Sequence, residues 1–342
     1  MSEASQDLKP LIAKVAAGQA LTADEADRAF AIIMAGEASH AQTGGFLMAL
    51  SMRGETVEEI AGGAKAMRAN MRRMKAPQGA IDIVGTGGDA KHTLNISTAT
   101  ALVVAGCGLT VAKHGNRAAS SRSGAADVLS VLGVDLEADY DIVQRAIDEA
   151  GIGFMIAPRY HSAMRHVMPA RVEMGVRTVF NLLGPLSNPA EVKLFFVGVF
   201  DRRWVEPVAR VLGNLGAERA WVVHSADGCD EMTLGGANTV AAMENGAVTM
   251  MEVSPADAGL GKASLDAIKG GTPEENAMAM RDLLEGKAGV YRDTVLLNAA
   301  GALIVAGKAN DLRDGVAIAA NAIDSGAARA SLDRLVTVTS GG

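Results

Sequence analysis

The sequence predicts an α/β protein with a small all-helical domain at its N-terminus and a larger α/β domain built on a mainly parallel central sheet. Three observations predict it. The first 75 residues carry helix-capping patterns and helical apolar spacing. From Ile81 onward, short apolar runs alternate with glycine-containing loops and helical stretches, the order that builds a parallel sheet with helices on its faces. The length, 342 residues, accommodates about two domains at ~150 residues each.

In chain order, Thr22-Ala-Asp-Glu25, Ser39-His-Ala-Gln42 and Thr56-Val-Glu-Glu59 each match the capping box, in which a hydroxyl and a Glu or Gln cap each other's amides. After the third, Val57, Ile60, Ala64, Met67 and Met71 share one helical face, expected to be packed core or a subunit interface. Ala76-Pro77-Gln78-Gly79 breaks the pattern and places the boundary between residues 1–76 and 77–342. Ile81–Val84 is a strand, followed by a glycine loop and a helix from about Thr98 to Ala105. Leu109–Ala112 is a second strand, then a polar loop and a helix over Ala125–Leu132. Phe154–Ala157, Leu194–Val199 and Ala220–Val223 are further strands. The helical stretch from Arg165 to about Leu183 interrupts this alternation, so residues of roughly 165–187 are expected to join the N-terminal helices. Thr272-Pro-Glu-Glu275 opens another capped helix, and the C-terminal third is Ala-rich helix with no evident chemistry.

Composition narrows the function. The chain holds 32 Lys+Arg against 39 Asp+Glu, a net charge of −7, which argues against a general nucleic-acid binder. No run of about 18 apolar residues exists, so no membrane span is expected. The N-terminus lacks a basic and apolar leader, and two cysteines, Cys107 and Cys229, are too few for a disulfide framework; a cytoplasmic protein is expected. Glycine is in excess at 39 residues, pointing to loops that approach something closely.

Three segments past strand ends can carry chemistry. In Gly85-Thr-Gly-Gly-Asp89, glycines let backbone amides turn towards an anion before a helix start. An Asp would repel a phosphate, so Asp89 points to ribose hydroxyls or a metal-bridged pyrophosphate. Asn95-Ile-Ser-Thr98 adds two hydroxyls at the next helix start. The second segment, Lys113-His-Gly-Asn-Arg117-Ala-Ala-Ser-Ser121, packs two fixed cations, a histidine, an amide and two hydroxyls into nine residues; with the first it fits a polyphosphorylated sugar. The third is Asp230-Glu231, adjacent carboxylates suited to a hard cation such as Mg²⁺.

These segments, in order, together with Arg171-Val-Glu-Met-Gly-Val-Arg-Thr-Val-Phe-Asn-Leu-Leu-Gly-Pro-Leu-Ser-Asn-Pro189, resemble the anthranilate phosphoribosyltransferase family over nearly the whole chain. The resemblance implies a nucleoside-phosphorylase-type fold, a homodimer formed through the helical domain, and a step of tryptophan biosynthesis. It implies that phosphoribosyl pyrophosphate is bound by Gly85, Gly88, Asp89, Thr93, Asn95, Ile96, Ser97 and Thr98 from the first segment. Lys113, His114, Gly115, Asn116, Arg117, Ala118, Ala119, Ser120, Ser121 and Ala125 are implied for the same substrate. It further implies anthranilate contacts from Gly85, Asn116 and Arg171, and a Mg²⁺ site at Ser97, Asp230 and Glu231. Lys113, His114, Asn116 and Arg171 become the expected catalytic set. His114 is left with two roles, proton relay or orientation of its loop. The chain departs from the family pattern at Ser162, where Pro is usual, and at Ala125, where Ser is usual. Pyrimidine nucleoside phosphorylases, the nearest rival, carry Lys-His-Ser in place of Lys113-His-Gly-Asn.

Overall fold

The computed structural model describes residues 7–118 and 122–341. Four helices come first, α1 (Lys9–Ala16), α2 (Ala23–Ala35), α3 (His40–Arg53) and α4 (Val57–Ala69). All three capping boxes form at the expected residues. Glu59, fully buried, takes the amides of Thr56 and Leu21 and pairs with Arg53, so one side chain ties three segments together. Ile60, Ala64, Met67 and Met71 face the core of the chain itself. Phe30 meets Phe46 and Phe180 edge-on at 5.6 and 6.1 Å, and full burial of each ring contributes about 1.5–3 kcal/mol.

The sheet has the order β3-β2-β1-β4-β5-β6-β7. Strands β1 (Ile81–Gly85), β2 (Val111–Gly115), β3 (Ile152–Ile156), β4 (Leu194–Gly198) and β5 (Arg219–Ser225) run parallel. β6 (Asn238–Glu244) and β7 (Ala247–Val253) complete it as an antiparallel hairpin. The parallel strands lie within one or two residues of their expected places, except β2, which begins two residues later and runs on through Lys113, His114 and Gly115. The hairpin lies inside the third expected to be all helix; its alternation of buried and half-buried positions is weak because β7 is an exposed edge.

Alternation sorts the strands onto two faces. Ile81, Ile83, Leu194 and Phe196 pack with α5 (Ile96–Gly106), α6 (Ala125–Val131) and the C-terminal helices. Val84, Phe195 and Val197 pack with the N-terminal helices. Between β2 and β4 the chain forms α7 (Tyr140–Arg145), α8 (Ala157–Tyr160), α9 (Met168–Met174) and α10 (Phe180–Leu183). The expected Arg165–Leu183 helix is therefore broken at Gly175, which takes a left-handed φ of 63°. α9 packs on α3 and α10 on α4. α11 (Val205–Asn214) follows β4; α12 (Pro273–Leu284), α13 (Val290–Val305), α14 (Leu312–Asp324) and α15 (Ala327–Thr339) close the chain. Among the described residues no helix is long and apolar enough to cross a membrane.

α2 and α4 approach closely because Gly62 has no side chain: a Cβ there would stand 2.8 Å from Ala26 Cβ and 2.9 Å from its carbonyl carbon. Gly→Ala inside an open helix gains about 0.5–1 kcal/mol, whereas overpacking costs about 1–3 kcal/mol. The second effect wins here, so Gly62→Ala lowers the urea midpoint; an unchanged or raised midpoint contradicts this packing.

Candidate active site

The chain steps outward from β1 through β2 to β3, then returns to the other side of β1 as β4. Ligands in open α/β sheets bind beyond the carboxyl ends of the strands at such a reversal. There, β1 and β4 end on the paired residues Gly85 and Gly198. A Cβ on Gly198 would lie 1.4 Å from the Asp230 carbonyl oxygen, and one on Gly85 2.5 Å from Asp230 Oδ2. Glycine at 198 lets the segment after β5 settle onto the sheet's end, and glycine at 85 leaves room for the Asp230 carboxylate there.

That segment brings the carboxylates together. The amide of Gly87 donates to Asp230 Oδ2 at 2.7 Å, and the Asp230 amide to Asp89 Oδ2 at 3.4 Å. Glu231 Oε1 accepts from the Ser97 amide at 3.1 Å, in the first turn of α5. Asn298 of α13 pins the next residue, accepting from the Met232 amide and donating to its carbonyl. Burial pushes the Asp230 carboxyl up to about 7, helped by Asp89. Burial and then the neighbouring Asp230 and Asp89 carboxylates push Glu231 well above the usual range. Asp89, Cys229 and Asp230 each offer an atom within 4.8 Å of the others. Burial keeps the Cys229 thiol protonated, so the donors suited to a cation are the hard carboxylate oxygens, which fit Mg²⁺.

Lys113 belongs to β2 rather than to the loop expected after it. Its ammonium reaches back to the Ile83 carbonyl and to Ser97 Oγ at 3.4 Å. Burial lowers it to about 8, with Asp82, Glu231 and Asp230 pulling the other way. Successive strand residues face opposite sides, so His114 leaves this cluster for the side of the helical domain. Its Nδ1 lies 3.1 Å from the Gly184 carbonyl and its Nε2 3.2 Å from His161 Nε2. A carbonyl only accepts, so His114 Nδ1 carries the proton and Nε2 accepts from His161. Asp82, buried on β1, accepts the His114 amide and an Asn188 N–H; burial raises it to about 6.

The second loop is organised by Asp127, which accepts from the amides of Ala118 and Gly124 and pairs with Arg117 at 3.3 Å. Gly124 is required because its Cβ would sit 2.3 Å from the Ala118 nitrogen. Asn116 Oδ1 caps the Arg117 amide. Gly115 leaves room for Phe154, and Ala125 begins α6 beside it. Ala119, Ser120 and Ser121 lie outside the described residues. Asn95 joins the two loops by donating to the Ser123 carbonyl at 3.3 Å.

Other expected residues are placed differently. Ile96 is fully buried with its amide on the Leu94 carbonyl, and Thr98 is 1% exposed, so both side chains belong to the core of α5. Thr93 bridges to Lys269, and Gly88 takes a left-handed φ of 77°. Arg171 stands on α9 over the Phe180 ring at 5.6 Å and forms no ion pair among the described residues. Arg177 reaches the Gly88 carbonyl at 3.2 Å. The sequence motifs contain Arg177, Asn188 and Asp127 without giving them a role, and they leave out Asp82 and the buried Asn276 and Asn298. An isolated Asn within Leu296-Leu-Asn-Ala-Ala300 is the kind of signal that marks one, since a buried amide is expected to be hydrogen-bonded.

Two family models match the chain: the helical bundle domain of the glycosyl transferase family over residues 9–71, and its a/b domain over residues 77–329. The anthranilate phosphoribosyltransferase of Rhodospirillum rubrum is 59% identical over 334 residues, 98% of this chain and 96% of the relative. That of Rhodopseudomonas palustris strain TIE-1 is 57% identical over 333 residues, 97% of this chain and 98% of the relative. The solved anthranilate phosphoribosyltransferase of Thermus thermophilus superposes with a TM-score of 0.91 at 47% identity, covering 96% of this chain and 99% of that one. The Saccharomyces cerevisiae enzyme, solved in complex with PRPP and Mg, gives 0.89 at 28% identity, with 100% and 99% covered.

Burial, then the neighbouring ring, lowers His114 to about 3, and burial lowers His161 to about 4, both from 6.5. In the unfolded chain both rings bind protons below about pH 6.5, while the folded chain keeps them neutral to about pH 4. Their contribution is complete above pH 6.5 and is lost as pH falls towards 4. His161→Gln should therefore flatten the fall in stability between pH 6.5 and 5 by about 2 kcal/mol relative to the parent. Urea titrations at both pH values measure it; parallel pH dependences would reject it.

Proposed function

This chain belongs to the anthranilate phosphoribosyltransferase family, and from that premise we propose its reaction. It transfers the 5-phosphoribosyl group of phosphoribosyl pyrophosphate to the amine of anthranilate, releasing pyrophosphate, in L-tryptophan biosynthesis. The observation that carries this reading is the meeting of Asp89, Asp230 and Glu231 with Lys113 and the first turn of α5 at the sheet's reversal point. A diphosphorylated sugar needs that combination of fixed cation, oriented amides and carboxylates able to hold a hard cation.

The aryl amine of anthranilate is neutral at pH 7 and already nucleophilic, so no strong base is called for. The slow event is departure of pyrophosphate from C1, which leaves positive character on the ribose. The donor lies along Gly85, Gly88, Asp89, Thr93, Asn95 and Ser97 and along Lys113 and the loop that follows β2. Lys113 holds a positive charge against the leaving oxygens, and the amides at the start of α5 add partial positive charge. Mg²⁺, held by Asp230 and Glu231 with Ser97 beside them, supplies further charge neutralisation when bound. Asp89 joins this set by its contact with Asp230. Arg171, with no carboxylate partner among the described residues, receives the anthranilate carboxylate as a bidentate partner. Asn116 and Gly85 border the ring. For His114, a ring depressed to about 3 and bonded on both nitrogens supports orientation of the loop rather than proton relay.

The same reading takes the helical domain as residues 1–76 joined by about 165–187, and the α/β domain as 77–342. It makes the protein a cytoplasmic homodimer paired through the helical domain. Met52 on α3 and Val172 on α9, with Met168 and Val176 beside them, are exposed by 83, 70, 42 and 48%, an apolar surface that a second copy covers.

The direct test follows loss of anthranilate fluorescence with phosphoribosyl pyrophosphate and Mg²⁺. Signal must disappear when any one component is omitted; turnover of a nucleoside with inorganic phosphate instead would favour the phosphorylase reading. In that assay Arg171→Ala raises the anthranilate KM about 10–100-fold, the worth of a charged hydrogen-bonded pair. The donor KM stays within about threefold; equal changes in both would remove the assignment. Asp230→Asn with Glu231→Gln abolishes the Mg²⁺ dependence, and an unchanged Mg²⁺ titration would contradict the site.

A further inference from the structure

Asn276, on α12, lies outside every segment assigned above, is 1% exposed, and both its amide oxygen and its amide nitrogen are hydrogen-bonded. The Gly271 amide donates to Asn276 Oδ1 at 2.8 Å, and Asn276 Nδ2 donates to Asn95 Oδ1 at 2.9 Å. Asn95 Nδ2 in turn donates to the Ser123 carbonyl. Both ends of this relay are backbone groups of fixed polarity, a donor at Gly271 and an acceptor at Ser123. Hence neither amide can be turned round without setting like groups against each other. The Ser123 hydroxyl, 3.4 Å from Asn95 Oδ1, agrees with that oxygen being the acceptor. From α13, the Tyr291 hydroxyl donates to the Asn95 carbonyl at 3.1 Å, gripping the same residue from its backbone.

Asn95 is the residue that precedes α5, and Ser123 follows the second loop. The relay therefore sets the spacing of the two segments assigned to the sugar donor, and it does so from a helix outside every segment assigned to a substrate. Further packing holds α12's approach in place: the Gly270 amide donates to the His92 carbonyl at 2.7 Å, and the Leu94 amide to the Ile268 carbonyl at 2.9 Å. Residues 268–276 thus form a brace along the first loop, whose Ala90 and His92 adopt left-handed φ of 60° and 55°. Non-glycine residues persist in that region where surrounding contacts hold them.

We propose that Asn276 is a positioning residue for phosphoribosyl pyrophosphate, setting the donor grip through the Asn276–Asn95–Ser123 relay with Tyr291 as its second hold. The proposal rests on the function assigned above. It predicts an effect mainly on the donor, because Arg171, which receives the anthranilate carboxylate, stands on α9 and makes no contact with the relay among the described residues, whereas Asn116 and Gly85, which border the ring, pass on only a smaller effect.

Asn276→Asp keeps the shape and removes the donor, so two oxygens face each other and Asn95 must turn or withdraw. Steady-state kinetics should show a donor KM raised about tenfold or more, as for a buried hydrogen bond replaced by unpaired groups. The anthranilate KM should stay within about twofold. Tyr291→Phe, which removes one hydroxyl and keeps the ring, should raise the donor KM about threefold and gives the same reading if the first variant does not fold. An unaltered donor KM in both variants, or equal rises for both substrates, overturns the proposal while leaving the reaction intact. If the parent itself transfers nothing to anthranilate, the functional reading fails instead. The relay is then read by thermal protection with inorganic pyrophosphate and Mg²⁺: weaker protection of Asn276→Asp than of the parent supports it, and equal protection overturns it.

Discussion

The site depends on the absence of two side chains. Strands β1 and β4 end on Gly85 and Gly198, and any Cβ at Gly198 would collide with the main chain of Asp230. A backbone collision cannot be relieved by a rotamer change, unlike one with the end of a flexible side chain. Gly198 therefore sets how far the Asp230-Glu231 segment descends onto the sheet, and Gly85 leaves space for its carboxylate. The segment's depth in turn decides whether Asp230 reaches the Gly87 amide and Asp89, and whether Glu231 reaches the first turn of α5. Raised by an ångström or two, the carboxylates would remain, but no longer as one cluster.

Bringing three carboxylates together beside buried strand ends is unfavourable by itself. Desolvation and mutual repulsion act in the same direction on Asp230 and Glu231. The chain offsets part of this with the Gly87 and Ser97 amides and with Lys113, which is kept near the cluster by the Ile83 carbonyl. One ammonium and two amides do not balance three acids, so the arrangement retains a deficit of positive charge at the point where a cation and an anionic sugar would meet. Stability is given up locally in this cluster, a cost of the kind that preorganised sites carry.

Much of the fold was legible because its signals are local. Capping boxes are set by four residues, and all three near the N-terminus formed where Thr22, Ser39 and Thr56 stand. Strand existence was equally readable from apolar runs between glycines. The end of β2 was not: Lys113 and His114 look like loop residues, and only partners distant in sequence, the Ile83 carbonyl for one and Gly184 with His161 for the other, make a buried strand position tolerable for them. The β6–β7 hairpin was missed for a similar reason, since an exposed edge strand shows little alternation. For the site, the motifs named segments that the fold brings together at the strand ends. They gave no hint of Asn276 or Asn298, whose roles exist only through partners far away in the chain, Asn95 and Met232.

The buried asparagines share a chemistry. Asn188 donates to Asp82 and the Ala112 carbonyl and accepts from Ala190; Asn298 bonds Met232 in both directions; Asn238 spans Thr233 and Val253. A primary amide can give and accept at once and brings no charge to desolvate, so it joins two main-chain segments inside the core at less cost than a carboxylate or ammonium. An apolar replacement would orphan the backbone groups it now satisfies, at about 1–3 kcal/mol each. Because backbone polarity fixes which way each amide points, these joints also have a defined sense. Loops that are individually glycine-rich are in this way held at set separations by asparagines rooted in neighbouring helices and strands, which lets the same segments be pliant in backbone and exact in position.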